Sequence, residues 1–288
     1  MSRIIYDCDN TMGIKERDVD DGLTLLYLLG REDVELHGIT TTYGNSTIDA
    51  VYENTINMMK ELGRKDIPVL KGGSSPHDRQ SEAASFLCEK TSLYPGDITI
   101  LATGSLTNLL GAYELDRDFF RKVKEIILMG GVTEPLIING KLLSELNFSC
   151  DAEASYKVLN SGAKLTVITG HLCLQALFGE EEYRRLTENN DLNIFRYINA
   201  KTCHWFSFIK ELFGIQGFYN WDIVAAVYLT NPGLFDENTV KLSSTVEDLK
   251  SGLLKLSGSS CNINMPTTIK DKEGFNETVF SSWANVDY

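Results

Sequence analysis

Short apolar runs rich in β-branched residues recur along the chain, at Ile4-Ile5-Tyr6, Val34 to Thr42, Ile67 to Leu70, Ile98 to Ala102, Ile126 to Met129 and Leu165 to Ile168. A strand buried on both faces reads as an uninterrupted apolar run, and these runs are of that kind, with helical patterns between them. The pattern predicts an α/β fold with a mostly parallel central sheet flanked by helices. After Asn45, Ser46 or Thr47 is placed to cap a helix in which Ile48, Val51, Tyr52, Thr55, Met59 and Leu62 recur at three and four residues, and Gly63 ends it. From Asn193 to Phe213 the pattern is again helical. Its Trp205, Phe206, Phe208, Ile209, Leu212 and Phe213 exceed a single stripe, so this helix is expected to cover something besides the core. From Val240 onward the chain is strand-like and polar by turns and carries no motif. No internal repeat or low-complexity linker interrupts it, and residues 1–288 read as one domain.

Composition narrows the picture. With 43% hydrophobic and 23% charged residues, the chain is neither disordered nor a membrane protein by content. No apolar run approaches the ~18 residues needed to span a bilayer. Met1 to Asp7 moves straight into a strand-like run without the long apolar stretch of a secretory signal, so a cytoplasmic location is expected. The 6 cysteines, Cys8, Cys88, Cys150, Cys173, Cys203 and Cys261, have no C-x-x-C spacing and read as reduced thiols. A formal charge of −13 repels phosphate backbones, which argues against nucleic acid as a partner.

In open α/β sheets, ligands bind at the carboxyl ends of the strands. At those ends stand Asp7-Cys8-Asp9, Thr42-Tyr43-Gly44-Asn45, Thr103-Gly104-Ser105 and Met129-Gly130-Gly131. Asp7, Asp9, Asp18, Asp20 and Asp21 crowd into one short stretch, the last two just before a helix led by Leu23, Leu25 and Leu26. Alternation along a strand puts Asp7 and Asp9 on one face. A helix start favours negative charge, so capping alone accounts for the spacing of Asp20 and Asp21. Asp9 is different, because it ends a strand whose apolar residues must be buried. Carboxylates this crowded repel one another unless a cation or protons offset them. Hard oxygen donors of this kind suit calcium or magnesium rather than zinc.

These segments resemble the inosine–uridine-preferring nucleoside hydrolase family, whose opening motif reads Asp-x-Asp-Pro-Gly-x-Asp-Asp. Asp7-Cys8-Asp9 and Asp20-Asp21 supply its parts. Ile39 to Asn45 is similar to the family's second strand and Gly-Asn, Thr103 to Asn108 to its Thr-Gly-x-Leu-Thr-Asn, and Met129-Gly130-Gly131 to its Met-Gly-Gly. Glu145-Leu146-Asn147, Asp151 to Ala154 and Trp221-Asp222 match later motifs in the right order. The resemblance implies a Rossmann-like core and calcium-dependent hydrolysis of ribonucleosides to ribose and free base. It implies Ca2+ held by the carboxylates of Asp9, Asp21 and Asp222 and the backbone carbonyl of Thr103. Asp20, Asn139, Glu145 and Asn147 would bind the ribose hydroxyls, Met129 would lie beneath the sugar, and Asp9 and Asn45 would serve the attacking water. The expected partners are a small nucleoside and further copies of the chain, as a homodimer or homotetramer.

Two departures from the family matter. Where many members place a proton-donating histidine, this chain has Trp221, which cannot donate a proton at useful pH. The resemblance to a branch with tryptophan here implies a purine preference, the base stacking between two indoles, with Trp205 as the second plate. His37, His77, His171 and His204 do not match the family's acid position; His204 and Tyr219 are the remaining candidate donors. The second departure is the insertion Asn10 to Val19, which leaves either Asp18 or Asp20 for the ribose work. Two rival readings remain. Asp7-Cys8-Asp9-Asn10-Thr11 fits the Asp-x-Asp-x-Thr nucleophile motif of haloacid-dehalogenase-type phosphohydrolases, with Asp7 as nucleophile, although the later lysine and Asp-Asp motif do not follow. The other is a catalytically inactive nucleoside- or ribose-binding protein of the same fold.

Overall fold

A computed structural model describes residues 1–188, 192–257 and 262–288. The strands in chain order are β1 (Ser2–Cys8), β2 (Val34–Thr41), β3 (Val69–Leu70), β4 (Ile98–Ala102), β5 (Glu125–Met129), β6 (Leu136–Ile138), β7 (Lys141–Leu143), β8 (Leu165–Ile168), β9 (Leu177–Gly179), β10 (Gly217–Tyr219), β11 (Thr239–Lys241) and β12 (Asn262–Asn264). Eight of them form one sheet in the order β11-β12-β8-β5-β4-β1-β2-β3. All neighbours are parallel except β11, which runs antiparallel at one edge. Each of the six apolar runs contributes a strand, the Ile67 to Leu70 run only its last two residues. β1 lies centrally, paired with β2 from Ser2↔Val34 to Cys8↔Thr41 with a register shift between Ile4 and Ile5, and with β4 from Arg3↔Ile98 to Asp7↔Ala102. Its residues alternate between two cores: Ile4, Tyr6 and Cys8 enter one, Ile5 the other.

The helices are α1 (Asp20–Leu29), α2 (Ile48–Glu61), α3 (Glu82–Leu93), α4 (Thr107–Leu115), α5 (Phe119–Lys122), α6 (Ala152–Leu159), α7 (Gly170–Cys173), α8 (Glu180–Glu188), α9 (Asn193–Phe213), α10 (Trp221–Thr230), α11 (Val246–Leu249) and α12 (Lys272–Ala284). Thr47 caps α2 by accepting the Ala50 N–H, which decides between the two candidate caps, and Gly63 follows in the left-handed region at φ +70°. α9 spans the whole of its expected range and ends at Gly214, also left-handed. α1 is buried from Asp20 to Leu28, because it is wedged against the sheet and packed by α10 and α12.

The C-terminal segment differs from its sequence reading. Besides β11 and β12 it forms α12, in which Phe275, Val279, Phe280 and Trp283 are buried. Their spacing is helical, but Asn276, Glu277, Thr278 and Ser281 dilute the stripe enough to hide it. Cys8, Cys88, Cys150, Cys173 and Cys203 are free thiols; Cys261 lies outside the described residues. Among the described residues no helix is long and apolar enough to cross a membrane. Trp283 is fully buried and donates its indole N–H to the Leu23 carbonyl at 3.0 Å, which ties the C-terminal helix to α1. Trp283→Ala is expected to cost about 3–5 kcal/mol by cavity formation and loss of that bond, read as a lower urea midpoint with an unchanged slope.

Candidate active site

The carboxyl ends of β1, β4 and β5 and the starts of α1 and α10 meet at one place. Asp9 follows β1 and is fully buried. Its carboxylate accepts hydrogen bonds from the backbone N–H of Asn45 and, at 3.3 Å, from the Asn45 side chain. Gly44 makes this approach possible, since a Cβ there would sit 2.1 Å from Asp9 Oδ2. Asp20 bridges two helix starts, its Oδ1 accepting from the Asp21 N–H and its Oδ2 from the Asp222 N–H, both at 3.1 Å. Asp21 Oδ1 accepts from Thr103 Oγ1 at 2.7 Å and from the Tyr6 hydroxyl at 3.1 Å. Carboxylate oxygens of Asp20, Asp21 and Asp222 lie within 4.8 Å of one another.

Burial dominates the electrostatics. It pushes the Asp9, Asp20 and Asp222 carboxyls well above the usual range, and repulsion among the neighbouring aspartates adds to it. Asp21 is raised by the same burial, and hydrogen bonds from its neighbours hold it back. Asp18 is pushed up to about 6, again mainly by burial. The leading charged neighbours of Asp222 are Asp20, Asp21, Asp9 and Asp18, all acidic. Such a set of hard oxygen donors fits a divalent cation of the calcium or magnesium kind. The closest carboxylate set among the described residues contains Asp20, whereas the expected one contained Asp9; Asp9 stands beside it, facing the Asn45 side-chain amide that Asp21 also faces.

A cavity of about 250 Å³ opens next to this cluster. Asp20, Asp222, Asn45 and Thr103 line it together with Met129, Glu145, Asn147, Trp205 and Trp221. Asp9 and Asp21, at 0% and 1% exposure, lie behind that lining and touch the side chain of Asn45. Asn147 donates to the Met129 carbonyl at 3.1 Å. The Glu145 carboxylate accepts three backbone N–H groups, from Gly131, Phe148 and Ser149 at 3.1, 2.8 and 2.9 Å, so it also fixes the turn that carries Asn147. Gly131 turns there at φ +78°, where a Cβ would strike Leu254. Trp205, on α9, is 9% exposed and stacks on Phe208 with centroids 5.4 Å apart; Trp221 leans on Tyr219 at 5.3 Å. The surplus apolar face of α9 therefore covers this cavity.

Asn139 is not among the residues that line the cavity, although its neighbour Ile138 is. It is the first turn residue of the β6–β7 hairpin, where Asn139 and Gly140 have φ +47° and +75°, and its amide donates to the Phe213 carbonyl at 3.0 Å. An Asn-Gly pair between Leu136-Ile137-Ile138 and Lys141-Leu142-Leu143 is a hairpin signal that its offset from Glu145 obscured. Leu136, Ile138 and Leu143 of that hairpin line the cavity, and the sequence reading had not singled them out. His204 is not among the lining residues, while Tyr219 is. Asp18 also lines the cavity, at the end of an insertion held by Thr11 Oγ1 on the Asp18 carbonyl and by Arg17 on the Asn45 carbonyl, both at 2.8 Å. Asp7 is fully buried, absent from the cavity lining and bonded to Thr40 and Asn108. Those bonds tie Asp7 into the scaffold, which argues against a nucleophile there and so against the phosphohydrolase reading.

In an α/β sheet, an aspartate cluster at the carboxyl end of the first strand with a cavity of about 250 Å³ beside it marks a small-molecule site. The sequence profile of inosine-uridine preferring nucleoside hydrolases matches residues 4–277, and the chain belongs to that family, whose members act on N-glycosyl bonds. It is 29% identical to uridine nucleosidase 1 of Arabidopsis thaliana over 246 residues, covering 75% of this chain and 72% of that protein. Its fold is similar to a plant nucleoside hydrolase, the PpNRh1 enzyme, with a TM-score of 0.86, 22% identity and coverage of 98% and 99% of the two chains. It is also similar to a purine-preferring ribonucleoside hydrolase from Gardnerella vaginalis, with a TM-score of 0.84, 22% identity and coverage of 99% of each chain. From the uncompensated aspartates it follows that a bound divalent cation will stabilise the protein. Calcium at 100 times its dissociation constant is expected to add about 2.7 kcal/mol, seen as a higher Tm that chelator reverses; a Tm indifferent to both would count against a cation site.

Proposed function

We propose that this enzyme hydrolyses ribonucleosides to ribose and free base in a calcium-dependent reaction, with purine nucleosides preferred. The observation that carries the reading is that Asp20 and Asp222, with Asp9 and Asp21 directly behind them, meet at a cavity that also bears Trp205 and Trp221. Asp9, Asp21, Asp222 and the Thr103 carbonyl would hold the ion, with Asp20 close enough to share in it. When bound, a divalent cation supplies positive charge that makes water more acidic and orients vicinal hydroxyls.

Cleaving the N-glycosidic bond builds positive charge on the sugar and negative charge on the departing base. Asp9 accepts the proton of the attacking water, and Asn45, bonded to both Asp9 oxygens, keeps that acceptor aimed. Asp20, Glu145 and Asn147 take the ribose hydroxyls, and Met129 packs against the sugar. The surrounding carboxylates stabilise the cationic ring more in the transition state than in the ground state, which is what accelerates the step. Groups paired to the 2′-hydroxyl are stranded by a deoxynucleoside, so ribonucleosides are favoured, at ~1–3 kcal/mol per unpaired buried group. Trp221 and Trp205 flank the base, and solvent at the cavity mouth supplies the leaving-group proton. Tyr219, whose phenol burial pushes up in pKa, stays protonated beside Trp221.

A panel of purine and pyrimidine nucleosides assayed by reducing-sugar release, with and without chelator, tests the reading. Free ribose should appear from ribonucleosides only when calcium is present, and Asp9→Ala should lower turnover by roughly 10²–10⁴ with the fold retained. Nucleoside binding without ribose release over hours would point instead to a catalytically inactive binding protein. Trp221→Ala should lower kcat/KM for inosine by roughly 5- to 150-fold, from the ~1–3 kcal/mol of a base–aromatic stack, and lower it less for uridine. Equal losses on the two substrates would remove the stacking role.

A further inference from the structure

Tyr6 stands in the middle of β1, fully buried, one residue from Asp7 and three from Asp9. Packing alone does not call for a hydroxyl there, since a phenylalanine has nearly the same shape and avoids the ~1–3 kcal/mol cost of an unpaired buried polar group. The hydroxyl is not unpaired. It lies 3.1 Å from Asp21 Oδ1, 3.1 Å from the Asp21 carbonyl and 3.1 Å from Thr103 Oγ1. Thr103 Oγ1 is itself 2.7 Å from the same Asp21 Oδ1. Two hydroxyls, from β1 and from the residue after β4, therefore converge on one oxygen of one carboxylate. The other oxygen, Oδ2, faces Asn45 at 3.5 Å, on the side of Asp9.

The terminal torsion of an aspartate is broad and does not hold the carboxylate plane by itself. Hydrogen bonds to a ligating carboxylate orient it, and loss of such a partner weakens metal affinity by about 10- to 100-fold. We infer that Tyr6 is a positioning residue for the cation site, its phenol hydroxyl fixing, together with Thr103, the orientation in which the Asp21 carboxylate would meet an ion. This rests on the cation-dependent reading given above and adds to it a residue outside the cavity lining that sets ion affinity without touching nucleoside.

The test is calorimetric titration of calcium into chelator-stripped protein. Tyr6→Phe, which removes one oxygen and keeps the ring, is expected to raise the calcium Kd about 10- to 100-fold. At saturating calcium, its kcat and nucleoside KM should return to within about threefold of the parent values, because no substrate contact is lost. Tyr6→Leu also lacks the hydroxyl, so whichever variant keeps the parent circular dichroism spectrum carries the measurement. A merely structural role for Tyr6 would lower the Tm and leave the Kd where it was, and an unchanged Kd in a folded variant overturns the inference. The two readings fail separately. Parent protein that binds no divalent cation sinks the cation-dependent reading and this one with it, whereas parent and variant binding calcium equally sinks only the role of Tyr6.

Discussion

Asp9, Asp20, Asp21 and Asp222 are each no more than 3% exposed, and carboxylates removed from water this completely lose hydration and repel one another. The desolvation cost is several kcal/mol for each ionised group. A hydrogen bond to a charged acceptor returns only about 1.5–3 kcal/mol. The backbone N–H groups of Asn45, Asp21 and Asp222, together with the hydroxyls of Thr103 and Tyr6, offset part of that cost and leave the rest unbalanced. A divalent cation is the partner that this residue chemistry fits.

The rest of the fold brings those groups to one point. β1 is buried at the centre of a parallel sheet, so its end cannot drift, and the chain leaving it must pass Asp9 before it reaches α1. α1 and α10 pack side by side and begin at the same level, where Asp20 joins them by accepting one N–H from each. Asn108 adds support from behind, donating to Asp7 at 2.8 Å and to the Thr41 carbonyl at 3.0 Å. The Thr-Gly-Ser-Leu-Thr-Asn segment thus contributes at both levels, Thr103 at the cavity and Asn108 in the scaffold beneath it.

The cavity is built differently. Its polar end comes from strand ends and helix starts, and its apolar end from α9, the β6–β7 hairpin and the segment from Ile215 to Trp221. The hairpin is fastened to α9 where Asn139 and Lys141 donate to the carbonyls of Phe213 and Leu212. The insertion Asn10 to Val19 approaches α9 from the other side, since Gly13 sits so close to Lys201 that a Cβ would meet its side chain. Trp205 and Trp221 come from segments far apart in sequence and meet at the same cavity.

By itself the sequence determined the central strands, α2 and α9, because a strand buried on both faces and an amphipathic helix each leave a periodic trace in local order. It also marked the strand ends where Asp9, Asn45, Thr103 and Met129 stand, since chemistry in this architecture gathers where buried runs stop. Only the tertiary structure decided which of those residues share a space. It set Asp222 against Asp20 across two hundred positions, bound Asn139 in a hairpin turn to the Phe213 carbonyl, and placed Tyr6 under Asp21. It also showed α12 as a helix, although Phe275 and Trp283 carry its spacing. The physical reason is common to these cases: a hydrogen bond between residues distant in sequence depends on how elements pack, and local periodicity carries no record of that distance.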